Sequence, residues 1–349
     1  MRRIPSLVTA LSLTAAVVVA LSPPPSPGAA TAAPLRELAH RHHIKVGTAI
    51  GLPELDTDLE YLTVAAREYS SVTPENAMKW EQIHPERDRY DFAAADRTVA
   101  FARAHRMMVR GHTLVWHQQN PAWLVNGTFT RDELIQILHD HIATVVGHFR
   151  GQVKQWDVVN EAFDEDGRLR DNLWLRGIGA DYIRMAFQFA HAADPRARLY
   201  LNDYLTETLT PKSDAVFGTA YLLRAFGAPI HGIGIQMHRF QLLSESAPEI
   251  EANLRRISDA GFDAYITEMD VAILLPADAE ELASQATVYA EVVTACLHVR
   301  RCRGITTWGF TDRYSWIPGF FPGFGAALPF DESLQPKAAY TAIANALLT

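Results

Sequence analysis

Residues 153–163 read VKQWDVVNEAF, an apolar strand-like run that ends in the polar residues Asn160 and Glu161. A second run of this kind, DAYITEMDV at 263–271, carries Glu268 and Asp270 near its end. Strands buried in a parallel sheet are nearly continuous in apolar residues, and functional side chains sit at their carboxyl ends. The two segments therefore predict parallel strands that present carboxylates at one edge of a sheet.

Six more strand-like runs repeat this pattern along the chain. They are IKVGTAI (44–50), YSSVTPEN (69–76), MMVRGHTLVWH (107–117), ARLYLNDY (197–204), HGIGIQMH (231–238) and GITTWGFTD (304–312). Segments with helical spacing of apolar residues lie between them, such as RDELIQILHDHIATVVGHF and LWLRGIGADYIRMAFQFAHAAD. Thr130, with Glu133 three residues later, predicts a cap for the first of these helices.

Eight strands that alternate with helices indicate the α/β class and favour a (β/α)8 barrel, the TIM barrel. The competing architecture is an open doubly wound sheet, which usually carries G-x-G-x-x-G after its first strand. The segment after the first strand is GLPELDTD, which lacks that motif. With no linker or repeat in residues 34–349, we expect one catalytic barrel domain there.

Composition excludes several classes of protein. The 349 residues include 32 Lys and Arg against 40 Asp and Glu, so the formal net charge is −8. An acidic chain without a basic tract argues against nucleic acid as the main partner. H-E-x-x-H and G-x-S-x-G are absent, which disfavours a metal hydrolase and a serine hydrolase. We expect neither a metal nor another cofactor.

The first 33 residues have the pattern of a secretory signal peptide. Arg2 and Arg3 precede an apolar run over 7–21, and small residues and prolines follow, with a cut expected within 30–33. The alternative is an uncleaved anchor, but about 15 apolar residues are short for a bilayer. We expect a secreted, extracellular protein that is free of the membrane after cleavage; the export route, Sec or Tat, stays open.

The two carboxylates at strand ends suit glycoside hydrolysis. One can protonate the leaving oxygen while the other attacks the anomeric carbon. The alternative for each glutamate is an ordinary ion pair or helix cap. Aromatic and amide side chains also cluster at the strand ends, as a sugar cleft requires.

These segments together resemble glycoside hydrolase family 10, the retaining endo-1,4-β-xylanases. The resemblance rests on TPENAMKW, RGHTLVWHQQNPAWL, WDVVNEAF, LNDY, GIGIQMH, ITEMDV, TTWGFTDRYSW and GFGAALPFDESLQPKAAY, in family order. It implies a (β/α)8 barrel that cleaves β-1,4-xylan and xylo-oligosaccharides by double displacement. A retaining β-1,4-glucanase of the same barrel type and a non-catalytic glycan-binding barrel remain the alternatives.

Carried over residue by residue, the resemblance implies that Glu161 is the acid/base and Glu268 the nucleophile. His238 and Asp270 would orient Glu268. The remaining residues expected to bind substrate are Glu75, Asn76 and Lys79 on the glycone side; His112, Trp116, Gln119, Trp308 and Trp316 around the reacting sugar; Asn160 at its 2-hydroxyl; Asn202 and Tyr204 on the aglycone side; and Gln236 beside both glutamates.

The chain departs from the family pattern at Ala77, because the family commonly reads TPENEMKW. We expect Ala77 to change the support of the glycone subsite without abolishing catalysis. From the residues alone, Cys296 and Cys302 fit either a short bridge or two buried thiols. Their spacing resembles a disulfide of many secreted members, and we expect the enzyme to act as a monomer.

Overall fold

A closed ring of eight parallel strands forms the centre of the computed structural model, which describes residues 33–240 and 246–349. The ring contains β1 (Lys45–Ile50), β2 (Ser71–Pro74), β3 (Met108–Gly111), β4 (Val153–Asn160), β5 (Arg198–Asp203), β6 (Gly232–Ile235), β8 (Asp263–Leu274) and β9 (Cys302–Thr307). Neighbours in this order are parallel, and β9 pairs with β1 to close the ring. The closure confirms the predicted barrel, because an open sheet would leave two unpaired edges.

Two short strands pair with the part of β8 that continues beyond the ring. They are β7 (His238–Phe240), which pairs with β8 in parallel, and β10 (Phe324–Gly325), which pairs with it in the antiparallel sense. The β7 register sets His238 opposite Asp270. This pairing brings the end of the sixth ring strand against the segment that carries Glu268.

Helices connect the strands and cover the outside of the ring. They are α1 (Leu35–Arg41), α2 (Leu52–Thr57), α3 (Leu59–Glu68), α4 (Trp80–Ile83), α5 (Ala93–Ala104), α6 (Ala122–Val125), α7 (Arg131–His148), α8 (Leu173–Ile178), α9 (Asp181–Ala193), α10 (Pro211–Ala225), α11 (Ala247–Asp259), α12 (Ala279–Leu297), α13 (Ile317–Phe320) and α14 (Ala338–Ala346), with a 3₁₀ turn at Asp312–Tyr314. On α7, Leu134, Leu138, Ile142 and Val145 recur at helical spacing and are buried against the barrel. Each such side chain stabilises the fold by about 1.5–3 kcal/mol through burial.

The predicted cap of α7 is confirmed, since Thr130 and Glu133 form a reciprocal capping box. The second predicted helix is instead two helices, α8 and α9. Gly179 lies between them with φ +90°, a conformation that an α-helix cannot contain. The third strand ends at Gly111, earlier than predicted, and Val115 then pairs with Val159 of β4 only as an isolated bridge.

Residues 33–349 cluster as one compact unit. The predicted signal peptide lies almost wholly outside the described residues and remains a prediction. Within the described part of the chain, no helix has the length and apolar character needed to cross a membrane. A disulfide joins Cys296, near the end of α12, to Cys302 at the start of β9, as the family resemblance implied.

Candidate active site

The two glutamates lie at the carboxyl ends of the ring strands and are linked by side-chain amides. Glu161 directly follows β4, and Glu268 lies in β8 just beyond its pairing with β6. Gln236 donates Nε2–H to Glu161 Oε1 at 3.0 Å and lies 3.2 Å from Asn160 Oδ1. Asn202 donates to Asn160 Oδ1 and to Glu268 Oε1, both at 2.7 Å. Both carboxylates therefore belong to one hydrogen-bonded cluster of side chains.

A protonated histidine stabilises the Glu268 carboxylate. His238 donates Nε2–H to Glu268 at 3.3 Å and Nδ1–H to Asp270 at 2.9 Å. Burial opposes the charge on His238, but Asp270 and Glu268 outweigh it and raise the pKa of His238 to about 10. Burial alone would raise the pKa of Glu268; the charge of His112 and the hydrogen bond and charge of His238 lower it instead. Glu268 is therefore held ionised, as a nucleophile must be.

Asp270 and His112 are themselves held by neighbouring side chains. Trp316 donates its indole N–H to Asp270 Oδ2 at 2.8 Å. His112 lies 3.0 Å from Asp157 through Nδ1 and 3.9 Å from Glu268 Oε1. Asp157 in turn pairs with Arg110 inside the barrel. Asp157 and Arg110 were not predicted as site residues, although Asp157 stands in the WDVVNEAF segment and Arg110 two residues before His112.

The predicted glycone residues form a contiguous patch beside the glutamates. Lys79 donates Nζ–H to Asn76 Oδ1 at 2.9 Å, and Asn76 donates to Glu75 at 3.2 Å. Gln119 lies 3.5 Å from the same Asn76 oxygen. Burial lowers the pKa of Lys79, and the charges of Glu268, Glu75 and Glu161 partly oppose that effect. The Lys79 amine is thus mostly buried, and the charges of Glu161 and Glu268 both act on its pKa.

Ala77 does not break this patch. Its side chain is buried in the apolar core, while Glu75, Asn76 and Lys79 keep their mutual hydrogen bonds. Burial raises the pKa of Glu75, and the charge of Lys79 opposes the rise.

Aromatic rings surround the two histidines at the site. Trp308 meets His112 edge-on with ring centroids 5.1 Å apart, and Trp316 meets His238 in the same manner at 5.1 Å. Trp116 lies 6.4 Å from the His112 ring, and Lys79 Nζ is 4.9 Å from the Trp116 centroid. The predicted Trp116, Trp308 and Trp316 rings therefore lie around the two histidines that neighbour Glu268.

Asn202 occupies a different place from the aglycone position expected for it. It is fully buried, its amide N–H groups are donated to Asn160 and Glu268, and its oxygen accepts from Thr267 at 2.8 Å. Because these bonds use both the amide nitrogen and the amide oxygen, Asn202 is not available to an aglycone sugar. It instead helps to orient the Glu268 carboxylate. The sequence could not show this, because it requires knowing that Asn202 pairs with Asn160 on the neighbouring strand.

Tyr204 lies on the Glu161 side of the site and is partly exposed. Its hydroxyl contacts Glu165 and accepts from Arg170 at 2.6 Å. His117, which received no role from the sequence, sits with Nδ1 3.7 Å from Glu161 Oε2. Burial lowers the pKa of His117, although Glu161 partly offsets this, so a neutral imidazole neighbours Glu161 at neutral pH.

Across residues 33–240 and 246–349, no group of three or more His, Cys, Asp or Glu side chains is arranged to hold a metal ion. A ring of eight parallel strands with paired carboxylates, amides and aromatic rings at its carboxyl end defines a barrel glycosidase. The model of glycosyl hydrolase family 10 matches residues 34–346, and the chain belongs to this family.

Relatives and solved structures of this family are similar over most of the chain. Endo-1,4-beta-xylanase B of Thermotoga neapolitana is 46% identical over 316 residues, covering 89% of this chain and 90% of that protein. Endo-1,4-beta-xylanase A of Fusarium oxysporum f. sp. lycopersici is 42% identical over 290 residues, covering 80% and 88%. The crystal structure of xylanase 10B from Thermotoga petrophila RKU-1 in complex with xylobiose has a TM-score of 0.88 at 45% identity, covering 90% and 97%.

Proposed function

We propose that this protein is an endo-1,4-β-xylanase that cleaves xylan and xylo-oligosaccharides with retention of anomeric configuration. The observation that carries the proposal is the joint hydrogen-bonded cluster of Glu161 and Glu268 at the mouth of a family 10 barrel. A retaining glycosidase needs two carboxyl groups at the same glycosidic bond: one protonates the leaving oxygen, and the other attacks the anomeric carbon from the opposite side.

In the first step, Glu268 attacks the anomeric carbon while Glu161 donates its proton to the glycosidic oxygen. The bond to the leaving sugar breaks, and an ester between the glycone and Glu268 forms. In the second step, Glu161 removes a proton from water, and the water oxygen displaces Glu268. Two inversions at one carbon give net retention.

The surrounding residues have separable roles in this scheme. His238 and Asn202 keep Glu268 ionised and oriented, and Asn160 faces the 2-hydroxyl of the reacting sugar. Glu75, Asn76 and Lys79 hold the next sugar on the glycone side, and the tryptophan rings enclose the chain. Tyr204 lies beside the aglycone.

Product analysis of xylohexaose by NMR tests the activity and its stereochemistry together. The proposal requires cleavage at internal bonds and early appearance of the β-anomer at the new reducing end. Early release of the α-anomer, or of xylose alone, would contradict it.

A β-glucanase of the same barrel type is the neighbouring alternative. The ratio of kcat/KM on xylohexaose to that on cellohexaose distinguishes the two, since chain length is equal and only the hydroxymethyl groups differ. A ratio above one supports the xylanase, and a ratio below one supports the glucanase.

The basic, apolar and small-residue order of residues 1–33 supports export by a cleaved signal peptide. We further propose that the mature extracellular protein is a monomer. Amino-terminal sequencing of the protein from culture medium, with light scattering on the same sample, tests this. A first residue within 31–34 and a monomer mass are expected; cell-bound protein with an intact leader, or a dimer mass, would contradict the corresponding part of the proposal.

A further inference from the structure

Glu161 leaves its strand in a strained backbone conformation that its surroundings must hold. Its φ is +54°, in the left-handed region, and its backbone N–H donates to Asn202 O at 2.9 Å. A non-glycine residue in this region is less stable by about 1–3 kcal/mol and persists only where neighbouring contacts impose it. The segment after Glu161 therefore has to be anchored from outside the strand.

A buried carboxylate, which no role assigned above uses, provides one anchor. Asp203 Oδ2 accepts the backbone N–H of Phe163 at 3.3 Å, and Oδ1 accepts that of Tyr204 at 3.0 Å. Lys212 Nζ, from the first turn of α10, lies 2.9 Å from the same Oδ1. Asp203 and Lys212 are 0% and 2% exposed, so neither touches the cleft.

Asp203 also responds to the charge of Glu161. Burial raises the pKa of Asp203 to about 7, Lys212 opposes the rise, and the nearby charge of Glu161 adds to it. A buried ion pair of this kind has few alternative arrangements, since breaking it would leave an uncompensated charge in the interior. The pair is therefore a stiff support next to the acid/base candidate.

The opposite side of the same segment is held by Arg170 and by close packing. Arg170 donates Nη2–H to Phe163 O at 2.9 Å, and its backbone N–H donates to Ala162 O at 2.8 Å. At Gly167 a Cβ atom would lie 2.9 Å from the carbonyl oxygen of Pro211, the residue before Lys212. The segment 161–170 thus packs directly on the start of the helix that supplies the lysine.

We propose that Asp203 and Lys212 act as a positioning pair for Glu161: by fixing the Phe163 N–H they hold the Glu161 carboxyl where it can protonate the leaving oxygen. The pair does not touch substrate and acts through Glu161. This inference rests on the acid/base role proposed for Glu161.

The test compares two substrates that depend differently on protonation of the leaving group. We would measure kcat/KM of the full chain on 2,4-dinitrophenyl and phenyl β-xylobioside, for the parent and for Asp203→Asn, Lys212→Met and their double variant. The double variant removes both charges, so it avoids an unpaired buried ion. Misplacing a general acid weakens proton transfer to the leaving group. We therefore expect kcat/KM to fall roughly 10- to 100-fold more on the phenyl substrate than on the dinitrophenyl substrate.

Glu68→Gln is the matched control, because Glu68 is also a buried carboxylate that accepts a backbone N–H, from Leu35 at 3.0 Å. It precedes β2 and so lies at the amino ends of the strands, away from the site. This control should lower the melting temperature and change kcat/KM on both substrates by the same factor. Lys212→Arg keeps the charge and should restore most of the lost activity on the phenyl substrate.

Equal losses on the two substrates in the folded double variant, as in Glu68→Gln, would overturn the positioning role. So would an unchanged phenyl rate. Failure of the underlying function gives a different result. In that case Glu161→Ala would lower kcat/KM on both substrates equally, or the parent would release no reducing sugar from xylan.

Discussion

Replacing His238 with glutamine removes the cation beside Glu268 and keeps a neutral hydrogen-bond donor. In the parent the pKa of Glu268 is below its ordinary value, so the nucleophile is ionised above that pKa, and activity is lost as pH falls through it. Exchanging a charged for a neutral donor weakens a hydrogen bond by about 1–1.5 kcal/mol. At 1.36 kcal/mol per unit, this raises the pKa of Glu268 by about one unit.

The acid limb of kcat/KM on an aryl xylobioside should therefore move upward by about one pH unit in His238→Gln. The control is His298→Gln, which removes a histidine 2.8 Å from Glu251 on the outer helices and should leave the limb in place. An acid limb that stays in place in His238→Gln, or moves to lower pH, would refute the electrostatic account of Glu268.

Three further substitutions test other parts of the account. Glu161→Ala should reduce kcat/KM by roughly 10²–10⁴-fold on phenyl xylobioside and far less on dinitrophenyl xylobioside, because only the former needs the proton; comparable losses would contradict the acid role. Lys79→Met removes a buried charged donor and should lower kcat/KM on xylohexaose by roughly 10- to 100-fold, from 1.5–3 kcal/mol of binding, as steady-state kinetics on the purified variant would reveal. Cys296→Ser with Cys302→Ser opens a short loop and should lower the free energy of unfolding by about 2 kcal/mol in denaturant titrations, with kcat/KM unchanged; no stability difference would argue against the bridge in solution.

Much of the site could be predicted because a barrel places the carboxyl ends of all its strands on the same face. Glu161 follows the apolar strand β4, Glu268 lies in β8 just beyond its pairing with β6, and parallel strands of a barrel bring their carboxyl ends to one face. Once WDVVNEAF and ITEMDV are assigned to strands, their carboxylates must share that face. The pairing of Cys296 with Cys302, by contrast, came from the family resemblance.

The supporting contacts could not be predicted, since they depend on tertiary neighbours. Asp203 lies one residue from Asn202 in LNDY, yet its partner Lys212 comes from the following helix and nothing local links them. Asn202 was expected at the aglycone, but its register with Asn160 turns it beneath Glu268. The division of α8 from α9 at Gly179 was likewise hidden, because glycine is compatible with a continuous helix as well as with a break.

Trapping of the glycosyl-enzyme tests the central claim most directly. The protein would be incubated with 2,4-dinitrophenyl 2-deoxy-2-fluoro-β-xylobioside, whose fluorine slows the second step, and then digested and mapped by mass spectrometry. The account predicts one fluoroxylobiosyl group per chain, as an ester on Glu268. A label on another carboxylate, or turnover without any labelled enzyme, would contradict it.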